Sequence, residues 1–155
     1  MLFPTHLLVA AGIGWLSSRR RARRRLAATR AVATTPSLSV GWLVVGAALP
    51  DVVDKPLGAV GVVDVYQSVG HAALLAPFAV VLAARHRHGI AVAVGWGSHL
   101  ALDALHMVVN GRPGDVLFLG WPVLTRSDPL AIPPGEFVFV YLGTPAFFLE
   151  AALWL

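Results

Sequence analysis

The sequence contains no cysteine. That absence excludes a disulfide scaffold and any thiolate metal site, and it leaves the redox compartment unmarked. Charge is scarce too: 13% of the 155 residues are charged while 57% are hydrophobic. A soluble domain of this length keeps too much of its surface in water to hide so much apolar area. With a mean hydropathy of +0.72, the chain suits the bilayer as solvent, and residues 1–155 are expected to form a single all-α membrane domain. Acidic residues are also missing from the longest basic segment, which holds Arg19, Arg20, Arg21, Arg23, Arg24, Arg25 and Arg30. No aromatic side chain is interleaved there. The run therefore reads as a topology and lipid-headgroup signal rather than a nucleic-acid surface, and no nucleic-acid partner is expected.

Five apolar stretches are present: Leu2–Leu16, Leu38–Leu49, Ser68–Ala84, Gly89–Val109 and Phe137–Leu155. The expected fold is a bundle of about five transmembrane helices. The first two stretches fall short of the ~20 residues that a ~30 Å core requires, so they thin the bilayer or end below its surface, shielded by protein. The first stretch is read as a retained helix, because a cleaved leader carries its positive charge before the apolar run, not after it. Basic residues in short connections favour the cytoplasm. Residues 17–37 and the segment holding Arg85 and Arg87 then lie inside. The connection with Asp51, Asp54, Lys55 and Asp64, and the long Gly- and Pro-rich connection 110–136, lie outside. One topology satisfies all four, with the N-terminus outside and the C-terminus inside. The apolar patch Val116–Val123, with Trp121, is expected to dip into the interface, and a loop this long is a candidate binding loop.

Polar residues within or beside apolar stretches are costly, and they are usually functional or paired. They are His6, Asp51, Asp54, His71, His99, Asp103, His106 and Glu150. The topology, drawn from arginines alone, carries all but Glu150 to the outer side. Glu150 falls toward the inner end of the fifth helix and is left out of the site. In the fourth stretch His99, Asp103 and His106 are four and three residues apart and share one helical face. Gly95, Gly97 and Ser98 one turn earlier permit close approach of a neighbouring helix. Imidazole and carboxylate without thiolate suit zinc, manganese, iron or nickel. Against this stand blander roles. A single membrane histidine such as His6 or His106 can be a packing residue. Asp51 after Pro50 can turn the chain as it leaves the membrane. His86 and His88 read as solvated residues of the basic connection.

Thr5–His6, Leu49–Pro50–Asp51–Val52–Val53–Asp54, Gly70–His71–Ala72–Ala73–Leu74–Leu75, Ser98–His99–Leu100–Ala101–Leu102–Asp103 and Gly120–Trp121–Pro122 together resemble the YdjM-like family of membrane-bound metal-dependent hydrolases. That family is distantly similar to zinc-dependent phospholipase C and P1-type nucleases. The resemblance implies a helical scaffold with His6, Asp51, His71, His99 and Asp103 as metal ligands and zinc as the favoured ion. Two departures bear on the ion count. Ala72 stands where the family has Ser or Thr, and no histidine follows His106, so one or two ions are expected rather than three.

Three functions follow from these residues. The first is a hydrolase acting on a phosphoester, preferably a lipid whose head group reaches the site without leaving the bilayer. In it Asp54 is a base behind the ligands or a further ligand, and Lys55 binds phosphate as a point charge. The second is a metal-handling or transport protein, although five helices without an internal repeat do not look like the repeat-built transporters. The third is a structural membrane subunit in which the polar cluster merely ties helices together.

Overall fold

The computed structural model describes residues 2–27, 38–86, 88–124, 132 and 135–155. The chain is all-α there. Helix α1 spans Phe3–Ala27, α2 Val40–Ala59, α3 Ala76–Arg85, α4 Gly89–Val109, α5 Phe137–Tyr141 and α6 Pro145–Trp154, with 3₁₀ turns at Ala73–Leu75 and Pro113–Gly120. Arg30, Arg87, Arg126 and Asp128 lie outside the described residues.

Helices α2 and α4 form the spine and run parallel in one register. A Cβ on Gly95 would lie 2.1 Å from the Leu43 carbonyl oxygen, and one on Gly46 would lie 2.2 Å from that of Val92. The backbones therefore meet with no side chain between them, which only glycine allows. Gly95→Ala is expected to lower the thermal midpoint of the detergent-solubilised protein, since forcing a methyl into such a contact costs about 1–3 kcal/mol. Gly97, two residues on, has nothing within 4 Å of its would-be Cβ. Gly97→Ala is expected to leave the midpoint unchanged or raise it. Equal gains at both positions would show that helix propensity, not backbone contact, sets the effect.

Two helices run further than the apolar pattern indicates. The first continues through Ser17–Ala27, because arginine is a good helix former and its charge needs water, not a coil. The second continues past Leu49 through Pro50 and Pro56 to Ala59. Asp51, Asp54 and Lys55 are thus helical residues one turn apart, and Asp51 does not mark a turn out of the helix. The third stretch is shorter than expected: His71 sits in a turn, and the regular helix behind it has 10 residues. The fifth is broken by a left-handed Gly143, with φ of 82°, between α5 and α6.

These breaks correct the five-crossing expectation. Among the described residues one helix, Gly89–Val109, is long and apolar enough to cross a membrane by length and composition. Helix α1 has the length but carries arginines in its second half, and α2 carries two aspartates and a lysine in its own. The C-terminal segment does not run to the opposite end either. Ala146 N donates to Asn110 Oδ1 at 3.0 Å, and Trp154 Nε1 donates to Thr5 Oγ1 at 3.0 Å. Helix α6 therefore lies beside the end of α4 and the first turn of α1.

The two ends of the bundle differ. At one, Trp42 stacks on His88 at 5.3 Å, so the start of α2 meets the start of α4, and α1 delivers its arginines past Gly14, which faces Val40. At the other lie His6, the end of α2 and the second half of α4. The burial pattern is inverted from that of a water-soluble core. Buried apolar residues are few and mostly small, led by Ala10, Leu43, Ala47 and Ala91, whereas His6, Asp54, His71, His99 and Glu150 are all buried. Large apolar side chains point outward, with Phe78 67%, Val80 66% and Phe148 62% exposed.

Candidate metal centre

The parallel register of α2 and α4 builds the site. Each helical turn that advances α4 also advances α2: Gly95 meets Leu43, His99 meets Ala47, and one turn later Asp103 and Asp51 reach the same space. His99 Nδ1 lies 2.7 Å from the Ala47 carbonyl oxygen. A carbonyl only accepts, so Nδ1 carries the proton and Nε2 is left with a bare lone pair.

His71 is fixed in the same manner by a carboxylate. Asp54 is fully buried and accepts from the backbone N–H groups of Ser68 at 2.7 Å, Gly70 at 2.8 Å and His71 at 3.1 Å. Its Oδ2 also lies 2.6 Å from His71 Nδ1. Four donors converge on one acceptor-only group, so His71 Nδ1 donates and its Nε2 is bare as well. Gly70 allows this turn to sit against α2, since a Cβ there would lie 2.9 Å from the Pro50 backbone. Trp96 Nε1 holds the turn from the other side through the Gly70 carbonyl at 2.8 Å.

The two bare nitrogens, His71 Nε2 and His99 Nε2, face each other at 3.1 Å. Two lone pairs aimed at one another repel unless positive charge lies between them, either a proton on one ring or a cation. Asp103 Oδ2 lies 3.4 Å from both nitrogens. Its other oxygen is 3.2 Å from His6 Nε2, and the His6 ring stacks on His99 at 3.9 Å between centroids. Among the described residues the buried Nδ1 of His6 has no hydrogen-bond partner. Asp51 Oδ1 approaches from the open side, 3.7 Å from His71 Nε2. Two overlapping groups of metal-ligand geometry result, His6–His99–Asp103 and Asp51–His71–His99, each with its donor atoms within 4.8 Å of one another.

No protein-family model, curated protein or solved structure matches this chain. The chemistry of the site therefore rests on its own geometry.

All five side chains expected as ligands from the sequence come together here. Asp54 sits behind them and is absent from the walls of the cleft that opens over the site. That cleft encloses about 700 Å³ and is lined on its floor by His6, Asp51, Asp103 and His106. Lys55 and Arg112 stand on its walls, each beside an acid: Lys55 Nζ is 3.5 Å from Asp51 Oδ1, and Arg112 is 3.2 Å from Asp115. The remaining walls are apolar and include Phe3, Phe118, Trp121 and Phe137.

The Pro113–Gly120 turn brings Phe118 to 6.0 Å from the His71 ring, so the long connection is part of the site, as its length suggests. Three contributors escaped the sequence. Gln67 donates to Asp103 Oδ2 at 3.0 Å, and no spacing marked it. Tyr66 lines the cleft from the same loop. Glu150 is buried and accepts from Leu2 N–H at 3.2 Å, Thr5 and Tyr141. An acid in an apolar stretch is a signal in itself. Its depth was misassigned because the fifth stretch reads as one unbroken crossing.

Proposed function

We propose that this chain is a multi-pass membrane protein with a divalent metal centre, zinc favoured and one or two ions in number. In this reading it hydrolyses a phosphoester, preferably of a lipid, at the membrane edge. The observation that carries the metal assignment is the pair of bare imidazole nitrogens of His71 and His99 facing each other at 3.1 Å. Both rings are locked in the ligating tautomer by Asp54 and by the Ala47 carbonyl, the outer support that metal-bound histidines ordinarily have. Asp51, Asp103 and His6 complete the donor set. His/carboxylate donors without thiolate suit zinc, manganese, iron or nickel, and the family resemblance favours zinc among them.

His6, Asp51, His71, His99 and Asp103 would hold the ion, which would supply polarisation of a phosphoryl oxygen and acidification of a water. The protein's own groups do the rest. Asp54, saturated by four donors, keeps His71 in place and has no remaining reach to the cleft. Lys55 contributes a charge for the phosphate. The apolar walls accept the alkyl portion of the substrate and exclude water. The resemblance to phospholipase C-like and P1-type sites favours phosphorus over carbonyl chemistry. The experiment is incubation of the purified chain with lipid phosphoesters with and without chelator. Chelator-sensitive turnover is expected. Bound metal without such turnover would leave a transport or structural role.

The membrane placement is supported by large apolar side chains that face outward while His6, Asp54, His71, His99, Asp103 and Glu150 are buried. The basic ends of α1 and α3 lie at one end of the bundle, and the donor set lies at the other. With basic segments cytoplasmic, the site and the N-terminus face outward. The C-terminal helix, pinned to Thr5, shares that side. Single cysteines at the exposed positions 20, 62 and 86 test this in intact cells. An impermeant reagent is expected to label position 62 and spare the other two. The opposite pattern would move the site to the cytoplasm.

A further inference from the structure

Outside the donor set one other buried polar cluster stands out. The Glu150 carboxylate receives the Leu2 N–H at 3.2 Å together with the hydroxyls of Thr5 and Tyr141. Thr5 Oγ1 in turn accepts from Trp154 Nε1 at 3.0 Å. Thr5, Tyr141 and Glu150 are 2%, 1% and 3% exposed. Leu2, just before α1, and four residues of α1, α5 and α6 thus close a hydrogen-bonded knot over the first turn of α1. His6, the next residue after Thr5, is the donor that this turn presents to Asp103.

We infer that Glu150 is a positioning residue for the metal centre: it clamps the first turn of α1 from the C-terminal helix and so sets His6 against His99 and Asp103. The inference rests on the metal reading above. The physical case has three parts. The first turn of a helix has unpaired N–H groups and frays unless capped. No acidic residue of α1's own first turn supplies a cap. A carboxylate 148 residues away accepts the Leu2 N–H instead. His6 also lacks an anchor of the kind its fellow ligands have. His71 is tied through Nδ1 to Asp54 and His99 to Ala47, while His6 Nδ1 has no partner among the described residues. Beyond the Asp103 contact and the stacking on His99, its orientation comes from the backbone that carries it. An acid in an apolar segment is costly unless its acceptor capacity is filled, and two of this one's three donors, Leu2 and Thr5, come from the start of the helix it would position, with Tyr141 the third.

The test uses the full chain in detergent, with zinc alone as the metal probe and diethyl pyrocarbonate as a metal-independent probe of histidine burial. In metal-free wild type, His6 and His71 are expected to be protected. Glu150→Ala is expected to raise modification of His6 by about tenfold or more through local opening while His71 stays protected. Thr5→Val should act in the same direction, and Glu150→Gln, which still accepts and can re-pair with Tyr141, should restore most of the protection. Zinc affinity, read by chelator competition, is expected to fall about 10–100-fold in Glu150→Ala. It should fall no further in the His6→Ala/Glu150→Ala double variant than in His6→Ala alone. Continued protection of His6 in Glu150→Ala, exposure of His71 along with it, or additive losses of zinc affinity would each overturn the clamp. If wild type takes up no zinc, the metal reading fails, and the His6 protection pattern still decides the clamp.

Discussion

Purified wild-type protein is expected to carry zinc, and His99→Ala and Asp103→Asn are expected to lose most of it. His99 is the one side chain common to both candidate donor groups, so its removal leaves neither group complete. Asp103 lies within 3.4 Å of the His71, His99 and His6 ring nitrogens. The amide replaces one of its acceptor oxygens with a donor group. The outcome should be graded by distance from the centre. Asp54→Asn, which touches the rest of the site only through His71 and its turn, should weaken affinity about 10–100-fold rather than abolish binding. Lys55→Ala should leave zinc content unchanged, because Lys55 offers no donor atom to the ion. Elemental analysis of the detergent-purified variants gives the answer directly. Stoichiometric metal in both His99→Ala and Asp103→Asn would overturn the ligand assignment and favour the alternative, in which a shared proton holds the two rings together.

The second large effect is on turnover. With a lipid phosphoester as substrate, Asp103→Asn and chelator treatment are each expected to lower hydrolysis by about 10³-fold or more, because acidifying a water into the neutral range would be the ion's principal contribution. Lys55→Ala is expected to behave differently. Lys55 stands on the cleft wall beside Asp51 and meets the phosphate as a point charge. Its loss should appear mainly in KM, with kcat changed less. A soluble phosphoester of the same head group should turn over more slowly than the lipid, since it leaves the apolar wall of Phe3, Phe118 and Trp121 unfilled. Equal rates for the two substrates would remove the lipid preference. No dependence on metal or Asp103 while zinc is bound would remove the enzyme reading.

The helical class followed from the apolar stretches, the expectation that His6, Asp51, His71, His99 and Asp103 lie on one side followed from the placement of the arginines, and their choice as a ligand set followed from the family resemblance. Helix four was read to its ends, Gly89–Val109, because a span surrounded by lipid or protein shows an uninterrupted apolar run, with His99, Asp103 and His106 on one face. The helix ends elsewhere were not legible. Asp51 after Pro50 looked like a turn out of the helix, yet α2 runs on through Pro50 and Pro56, and the carboxylate of Asp54 binds the following turn against that segment. The fifth stretch looked continuous, and Gly143 in its left-handed conformation breaks it.

Residue order alone set the composition-level properties: an apolar chain without thiols, most of its arginines clustered in two segments, and several histidines and carboxylates set within or beside apolar stretches. Those depend on residue type and linear spacing, which no folding step can alter. Only the tertiary structure decided which nitrogen of each histidine is free. That depends on the Ala47 carbonyl for His99 and the Asp54 carboxylate for His71, partners 52 and 17 positions away. It also decided that Glu150 belongs beside Thr5, because a hydrogen bond spanning 145 positions exists only once α6 folds back onto the first turn of α1. Spacing can place donors on one face of one helix; it cannot say which other helix meets that face, and the direction of each lone pair is set by that meeting.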